Sequence, residues 1–240
     1  MNGAATNQSA IDRNLLACGI LVMWVASLAG CAAQYRTSDS PKSPPSQALV
    51  IGSPPAAGDT WVYEYVDFWR PAERRRVQHT VVGTDNGAVD EVLAMESRAG
   101  ERRMRFDGRP QFIEYGMGDI ALHEFMPYLG SFAALRTGQS WTHIPGMPLM
   151  NSIVSWDLNG VAQGLEDVTV QAGTFSAMRV ELRAWRSALG KRDVAPLTAR
   201  MSLWYSPEVK RVVLIEFSSW DKRGMAWDRE RTELVSFSQR

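Results

Sequence analysis

The sequence is poor in cysteine, in net charge and in long apolar runs. Cys18 and Cys31 are its only cysteines among 240 residues, which excludes a framework of several disulfides. Basic and acidic residues number 26 each, which argues against a dedicated binder of nucleic acid or of an acidic surface. The apolar run at residues 15–30 is short against the ~20 residues that a membrane-spanning helix needs.

Catalytic and metal-binding motifs are also missing. His79, His123 and His143 are scattered, and none has the spacing of a metal ligand from another His or Cys. The chain has no Gly-x-Ser-x-Gly nucleophile elbow. We therefore expect no catalytic residue, no metal and no cofactor, and an enzyme is the third choice of function after two binding roles.

The N-terminal segment has the layout of a secretory signal, in which a charged start precedes an apolar stretch and a small-residue exit. Arg13 precedes the apolar run, which ends in Leu28-Ala29-Gly30-Cys31. This ending resembles the lipobox of bacterial lipoproteins. The resemblance implies acylation of Cys31, with palmitate-type chains, and cleavage between Gly30 and Cys31. A membrane anchor or a buried helix is the alternative, disfavoured by the shortness of the run.

Lipidation determines the fate of both cysteines. Cys18 leaves with the signal peptide, residues 1–30, and Cys31 carries lipid, so the mature chain has no disulfide. The residue after Cys31 is Ala32 rather than Asp, which in such lipoproteins is associated with the outer membrane. Each buried methylene contributes about 0.8 kcal/mol, so two or three acyl chains anchor the protein firmly. The predicted location is the cell envelope, on the outer membrane and facing the periplasm.

A tether and one domain follow the acylated cysteine. Residues 31–57 are rich in Pro and Ser and read as an extended tether, with an edge strand at Ala48–Ile51 as the alternative for one part. Residues 58–240 are long enough for a single domain with a sizeable core.

The domain has the residue pattern of β-strands. From Thr60, large aromatic residues alternate with Val62, Glu64 and Val66, and the segment 175–186 alternates apolar with charged residues. Four sites carry turn residues: Asn86-Gly87, Asp107-Gly108, Leu189-Gly190 and Arg223-Gly224. The spacing predicts a mostly β fold with one curved or partly closed antiparallel sheet, a β-meander of about eight to twelve strands.

A weak internal echo accompanies this pattern. Gly58-Asp59-Thr60-Trp61 is matched by Gly138-Gln139-Ser140-Trp141, and Val82-Gly83-Thr84-Asp85 by Gln163-Gly164-Leu165-Glu166. Two related halves of one sheet explain the echo, and so does coincidence between strand starts, which β proteins reuse freely.

The stretch 166–213 resembles a known family. Its motifs are Val170-Gln171-Ala172-Gly173-Thr174-Phe175 and Trp204-Tyr205-Ser206-Pro207-Glu208-Val209. They are similar to those of the TapB-like family of exported bacterial β proteins of unknown function. The resemblance implies a curved antiparallel sheet and no known catalytic residue. Both motifs also make sense as tight turns between strands.

Tryptophan and methionine are candidates for a ligand surface. Large aromatic residues on a curled sheet can line a cavity, and methionine adapts to varied apolar shapes. The candidate lining is Trp61, Trp141, Met147 and Met150. The loops at 125–129 and 144–150 are rich in apolar residues, and they either form the mouth of such a cavity or plug the open end of the sheet.

Arginine clusters suggest an anion site. On adjacent strands, Arg74, Arg76, Arg103 and Arg105 would place four guanidinium groups together and could hold lipid phosphate. The alternative, which we favour, is a solvated sheet face with Glu73 and Glu101 as partners.

The predicted function is a binding domain for an apolar or amphiphilic, lipid-like envelope ligand. A protein-interaction or assembly module is the alternative, with an envelope protein as partner and no nucleic acid.

Overall fold

The computed structural model describes residues 48–96, 98–105, 110–117, 120–147, 154–188 and 197–240. The predicted signal peptide, Cys31 and the tether up to residue 47 lie outside the described residues. The turns Asp107-Gly108 and Leu189-Gly190 lie outside them as well.

The described residues form fourteen β-strands. In chain order they are β1 (Leu49–Val50), β2 (Thr60–Asp67), β3 (Arg74–Asp85), β4 (Ala88–Met95), β5 (Arg98–Arg105), β6 (Phe112–Met117), β7 (Ile120–Phe125), β8 (Leu135–Arg136), β9 (Ser140–Met147), β10 (Val154–Val170), β11 (Gly173–Ala188), β12 (Leu197–Ser206), β13 (Arg211–Asp221) and β14 (Ala226–Ser238). No helix of the described residues is long and apolar enough to cross a membrane.

Ten strands pair antiparallel in the order β5-β4-β3-β2-β14-β13-β12-β11-β10-β9. The hairpin of β6 and β7 continues this sheet, because β6 pairs with β9 in a short parallel step at Phe112 and Ile113. Strands β1 and β8 form a separate pair. The predicted mostly β, antiparallel fold is confirmed.

The alternating segments of the sequence form strands with one buried face. In β2, Trp61, Tyr63 and Tyr65 point into the core. In β11, the residues from Met178 to Ala184 bury every second side chain and leave the charged ones outside. The predicted turn between β3 and β4 is present, with φ of 45° at Asn86 and 77° at Gly87, the left-handed values that a tight hairpin turn requires.

Side chains of β5, at one end of the twelve-strand sheet, contact those of β6 and β7 at the other end. On β5, Arg102 lies with its guanidinium 4.8 Å from the ring centre of Tyr115 on β6 and 2.6 Å from Glu124 on β7. The sheet therefore curls until its first and last strands face each other, which covers the apolar face. The buried apolar residues fall into three clusters inside this curl.

The folded unit begins earlier than residue 58. Strand β1 pairs with β8, Val50 is buried, and the Gly52 N–H donates to the Gly130 carbonyl at 2.8 Å. This is the edge-strand alternative for Ala48–Ile51. Burial of Val50 removes apolar surface from water, which offsets the cost of ordering this Pro-rich segment.

The internal echo falls on matching structural features. Gly58 precedes β2 with φ of 95°, and Gly138 precedes β9 with φ of 82°. The second pair of echoed segments adjoins register shifts, at Val81/Gly83 in β3 and at Ala162/Gly164 in β10. Both explanations of the echo, related halves and reused strand starts, are compatible with this placement.

Candidate functional site

An open groove lies on the outer face of β9 to β13. Two half-open cavities of about 480 Å³ each share Arg183, Trp185 and Arg200 in their linings. Trp141 adds to the first cavity and Trp220 to the second. We call the surface formed by Arg183, Trp185, Arg200 and Trp220 the outer groove. Trp141 only borders it, because Trp141 is in register with Gly160 and Leu182 on the core side and its ring centre is 5.8 Å from that of the buried Phe125.

Strand register positions these side chains. Trp185 on β11 is opposite Thr198 on β12, which is opposite Trp220 on β13. Arg183 is directly opposite Arg200. Since residues two apart on a strand share a face, the tryptophan row and the arginine row lie side by side on the solvent face.

The two arginines of the outer groove face each other without a carboxylate between them. Like charges that are directly opposite across two strands destabilise a sheet. Among the described residues neither Arg183 nor Arg200 forms an ion pair, and the nearby Glu181 is engaged by the Arg179 guanidinium and the Ser202 hydroxyl. Two guanidinium groups are thus available for an external anion, which they can bind by bidentate hydrogen bonds.

A second cluster of charges is largely buried. Arg211 on β13 forms ion pairs with Glu91 on β4 and, at 3.0 Å, with Glu124 on β7. Arg102 pairs with the same two carboxylates at 2.7 and 2.6 Å. We call these four residues the buried ion cluster. The cluster links β4 and β5, at one end of the curled sheet, and β7, at the other end, to β13 in its middle.

The buried ion cluster keeps its charges at neutral pH. Burial alone would raise the pKa of Glu91, but the charges of Arg102 and Arg211 hold that pKa well below its ordinary value. The same two arginines lower the pKa of Glu124 against the effect of burial. Burial and then the charge of Arg211 lower the pKa of the adjoining His79, so His79 is neutral and its Nδ1 accepts from Arg211 at 3.2 Å.

A polar cavity of about 260 Å³ surrounds His123 at the end of the sheet where β2 ends and β14 begins. The imidazole lies 3.6 Å from Glu114 and 3.3 Å from Glu230, and it stacks on Phe217 with ring centres 4.1 Å apart. Burial opposes protonation, but hydrogen bonds to Glu114 and Glu230 raise the pKa of His123 to about 9. His123 is therefore an imidazolium at neutral pH, with its charge balanced inside the protein.

Of the predicted ligand lining, the structure describes the side chains of Trp61 and Trp141, and it does not bring these two together. Trp61 is fully buried, its indole N–H donates to the Val209 carbonyl at 3.0 Å, and its ring packs on Tyr128. Trp141 belongs to a different apolar cluster and borders the outer groove. The strand alternation that makes Trp61 prominent in the sequence is what places it in the core. Met150 and the Met147 side chain lie outside the described residues.

The loop at 125–129 plugs the fold rather than forming a mouth. Phe125, Tyr128 and Leu129 are all buried, and the Tyr128 hydroxyl donates to Glu91 of the buried ion cluster.

The predicted four-arginine patch does not form. Strand β4 separates β3 from β5, so the two arginine pairs are not on adjacent strands. Arg103 is in register with Asp90, which is opposite Gly83, roughly 30 Å along β3 from Arg74 at ~3.3 Å per residue. Arg74 and Arg76 share Glu64 as a partner, whereas Arg103 pairs with Asp90 and Asp85. Arg105 is exposed at the far end of β5.

Sequence reasoning missed the outer groove, although a signal was present. Arg183 lies on the charged face of the predicted strand 175–186, and Trp185 continues that face. A large aromatic residue on the solvent side of an amphipathic strand is the pattern that could have marked it. Among the described residues, no group of three or more His, Cys, Asp or Glu could hold a metal ion.

Two solved structures are similar to the chain. One is a candidate lipoprotein of Parabacteroides distasonis, with 15% identity and a TM-score of 0.47 over 80% of this chain and 100% of its own. The other is a candidate exported protein of Bacteroides fragilis with a YmcC-like fold, with 11% identity and a TM-score of 0.44 over 79% of this chain and 99% of its own. No protein-family model matches the chain, and no curated protein sequence does. The resemblance to TapB-like proteins stays a prediction.

Proposed function

We propose that the chain is a lipid-anchored binding protein of the bacterial cell envelope, held by Cys31 on the outer membrane and facing the periplasm. Its ligand is an amphiphile with an anionic head, and its role is binding without catalysis. The observation that carries this proposal is the outer groove, in which Trp185 and Trp220 lie beside two arginines without carboxylate partners.

The outer groove combines apolar indole rings with cationic guanidinium groups, which fits such a ligand. Indole rings offer broad apolar surface to an acyl chain, and the paired guanidinium groups match the geometry of a phosphate or a carboxylate. The anion would also relieve the repulsion between Arg183 and Arg200. An acyl chain without a charged head would leave the two arginines without a partner, so an anionic amphiphile fits better than a neutral lipid.

A fluorescent fatty acid tests the proposal. The probe is dansyl-undecanoic acid, with its methyl ester as the uncharged match. The protein is the segment 41–240, which lacks Cys31 and is one compact unit. We expect energy transfer from tryptophan to bound dansyl. Replacing both arginines, Arg183→Met with Arg200→Met, should weaken binding of the acid tenfold or more, since hydrogen bonds to charged groups are worth about 1.5–3 kcal/mol.

Two further variants separate the parts of the groove. Trp185→Ala should weaken binding of both the acid and the ester, because it removes apolar surface. Arg103→Met, an exposed arginine paired with Asp90 on another part of the sheet, should change neither. Binding of the acid that survives the double arginine replacement unchanged would refute the assigned head-group site.

A further inference from the structure

Exposed aromatic and apolar side chains are concentrated at one end of the sheet. Of the nine exposed large apolar residues in the described part of the chain, four lie on the turn after β2 and around the turn between β13 and β14. They are Phe68, Trp69, Met225 and Trp227, with exposed fractions of 44, 61, 61 and 58%. Exposed apolar residues grouped in this way mark a place of interaction, whereas single exposed residues are ordinary.

The two turns are neighbours in space. Strand β2 pairs with β14, with Asp67 opposite Glu230, and the Phe68 N–H donates to the Arg229 carbonyl at 2.9 Å. Strand β14 also pairs with β13, whose last residue, Asp221, starts the second turn. The four apolar side chains therefore share one end of adjacent strands.

Three cations at this end have no carboxylate partner among the described residues. Lys222 and Arg223 are exposed and form no ion pair among the described residues. The guanidinium of Arg229 lies 5.1 Å from the ring centre of Phe68, so it accompanies the aromatic surface. We call these three cations and the four apolar residues the docking face.

Carboxylates at the same end are occupied within the protein. Asp221 accepts from the backbone N–H groups of Arg223 and Met225 at 2.8 and 2.9 Å. Asp67 accepts from the Trp69 N–H at 2.9 Å and pairs with Arg70 at 3.1 Å, and Asp228 accepts from the Ser219 hydroxyl. These three carboxylates thus have partners within the protein, whereas Lys222, Arg223 and Arg229 remain open to an external anion.

We propose that the docking face binds the surface of a bilayer that contains anionic phospholipid. Tryptophan and phenylalanine favour the level of the lipid headgroups, where an apolar ring can be buried while its edge stays wet. Lysine and arginine bind anionic headgroups at the same level, each strengthening attachment about fivefold. A tether over residues 31–47 would reach roughly 50 Å at ~3.1 Å per residue, long enough for this end of the sheet to turn towards the membrane.

Docking would also present the outer groove to the bilayer. Trp220 lines the groove and stands next to Asp221, where the turn of the docking face begins. An amphiphile could then pass between the membrane and the groove without crossing bulk water. The docking face itself does not depend on what the groove binds.

An environment-sensitive label tests the docking face. Full-length protein carrying Met225→Cys is labelled with the fluorophore NBD and reconstituted by its lipid anchor into vesicles of phosphatidylcholine with phosphatidylglycerol. The matched control is Val82→Cys, which is 56% exposed on β3 near the opposite end of the sheet. The unsubstituted chain, treated in the same way, reports any label on Cys18 or Cys31 and so tests the lipid anchor separately.

We expect a blue-shifted and several-fold brighter emission at residue 225 and an unchanged spectrum at residue 82. Replacing Lys222→Gln and Arg223→Gln should lower the docked-to-undocked ratio about fivefold for each cation removed.

The groove variant Arg183→Met with Arg200→Met should leave the signal unchanged, which separates failure of docking from failure of ligand binding. An unshifted spectrum at residue 225, or equal shifts at residues 225 and 82, would contradict membrane binding by the docking face. An equal shift in pure phosphatidylcholine overturns the role of the anionic lipid.

Discussion

Arg211 is the residue on which the curled sheet depends most. It is completely buried and lies between Glu91 and Glu124, with the aromatic rings of Trp61, Tyr63 and Tyr128 around its guanidinium. A buried ion pair adds little net stability while it is complete, because desolvation offsets the attraction. Removing one partner is costly, since it leaves the other charges buried and uncompensated.

Replacement of Arg211 should therefore destabilise the protein strongly. We expect Arg211→Met to lower the free energy of unfolding by about 3–5 kcal/mol, measured by urea titration. The matched variant Arg183→Met removes an exposed arginine that faces Arg200, and it should change the value by less than about 0.5 kcal/mol. Equal effects of the two replacements would contradict the role assigned to the buried ion cluster.

His123 should make stability depend on pH on the alkaline side. Its pKa is raised from 6.5 to about 9 in the folded protein, so its contribution is complete below about pH 6.5 and disappears as the pH rises through about 9. The shift corresponds to about 3 kcal/mol. Urea titration gives the free energy of unfolding of the unsubstituted protein and of His123→Gln. The difference between the two should be about 3 kcal/mol larger near pH 6.5 than above about pH 9. A difference that stays constant from about pH 6.5 to above pH 9 would contradict the raised pKa of His123.

Single residues of the candidate sites were only partly predictable. Arg102 is visible in the sequence as one of a basic run, yet its partners Glu91 and Glu124 belong to other strands. Which arginine of a run turns inward depends on strand register and on which strands meet when the sheet curls, and neither follows from local sequence. Trp61 and Trp141 look alike in the sequence echo, but Trp61 is fully buried whereas Trp141 is partly buried, packs on Phe125 and borders the outer groove.

Turns were the most predictable elements. Asn-Gly between two alternating segments gave the β3–β4 hairpin because both residues tolerate positive φ. The alternation in β2 and β11 likewise identified the buried face of each strand. The parallel step between β6 and β9 carries no local signal, since the two strands are joined by packing of residues distant in the chain.

A glycine replacement tests the hairpin. Gly87→Ala puts a side chain at φ of 77° and should lower the free energy of unfolding by about 1–2 kcal/mol. The control is Gly100→Ala in β5, where an added Cβ meets no atom within 4 Å, and its stability should be unchanged or slightly higher. Both values come from the same urea titration. A smaller loss at Gly87 than at Gly100 would show that the turn is not of the assigned type.

For the molecule as a whole, we propose that the anchor, the groove and the docking face act together. Acylation of Cys31 would hold the chain at a membrane, the docking face would orient the sheet, and the outer groove would open beside that face. The groove and the docking face join residues from several strands, which explains why composition and motifs indicated a binding protein but did not locate its site.

The most direct test of the account is a native mass spectrum of the segment 41–240, expressed in the periplasm and purified gently without detergent. We predict a reproducible extra mass, released on denaturation, that is an anionic amphiphile and is lost or reduced in the double variant Arg183→Met with Arg200→Met. A bare protein mass, or an adduct that the double variant retains in full, would contradict the assignment of the outer groove as the ligand site.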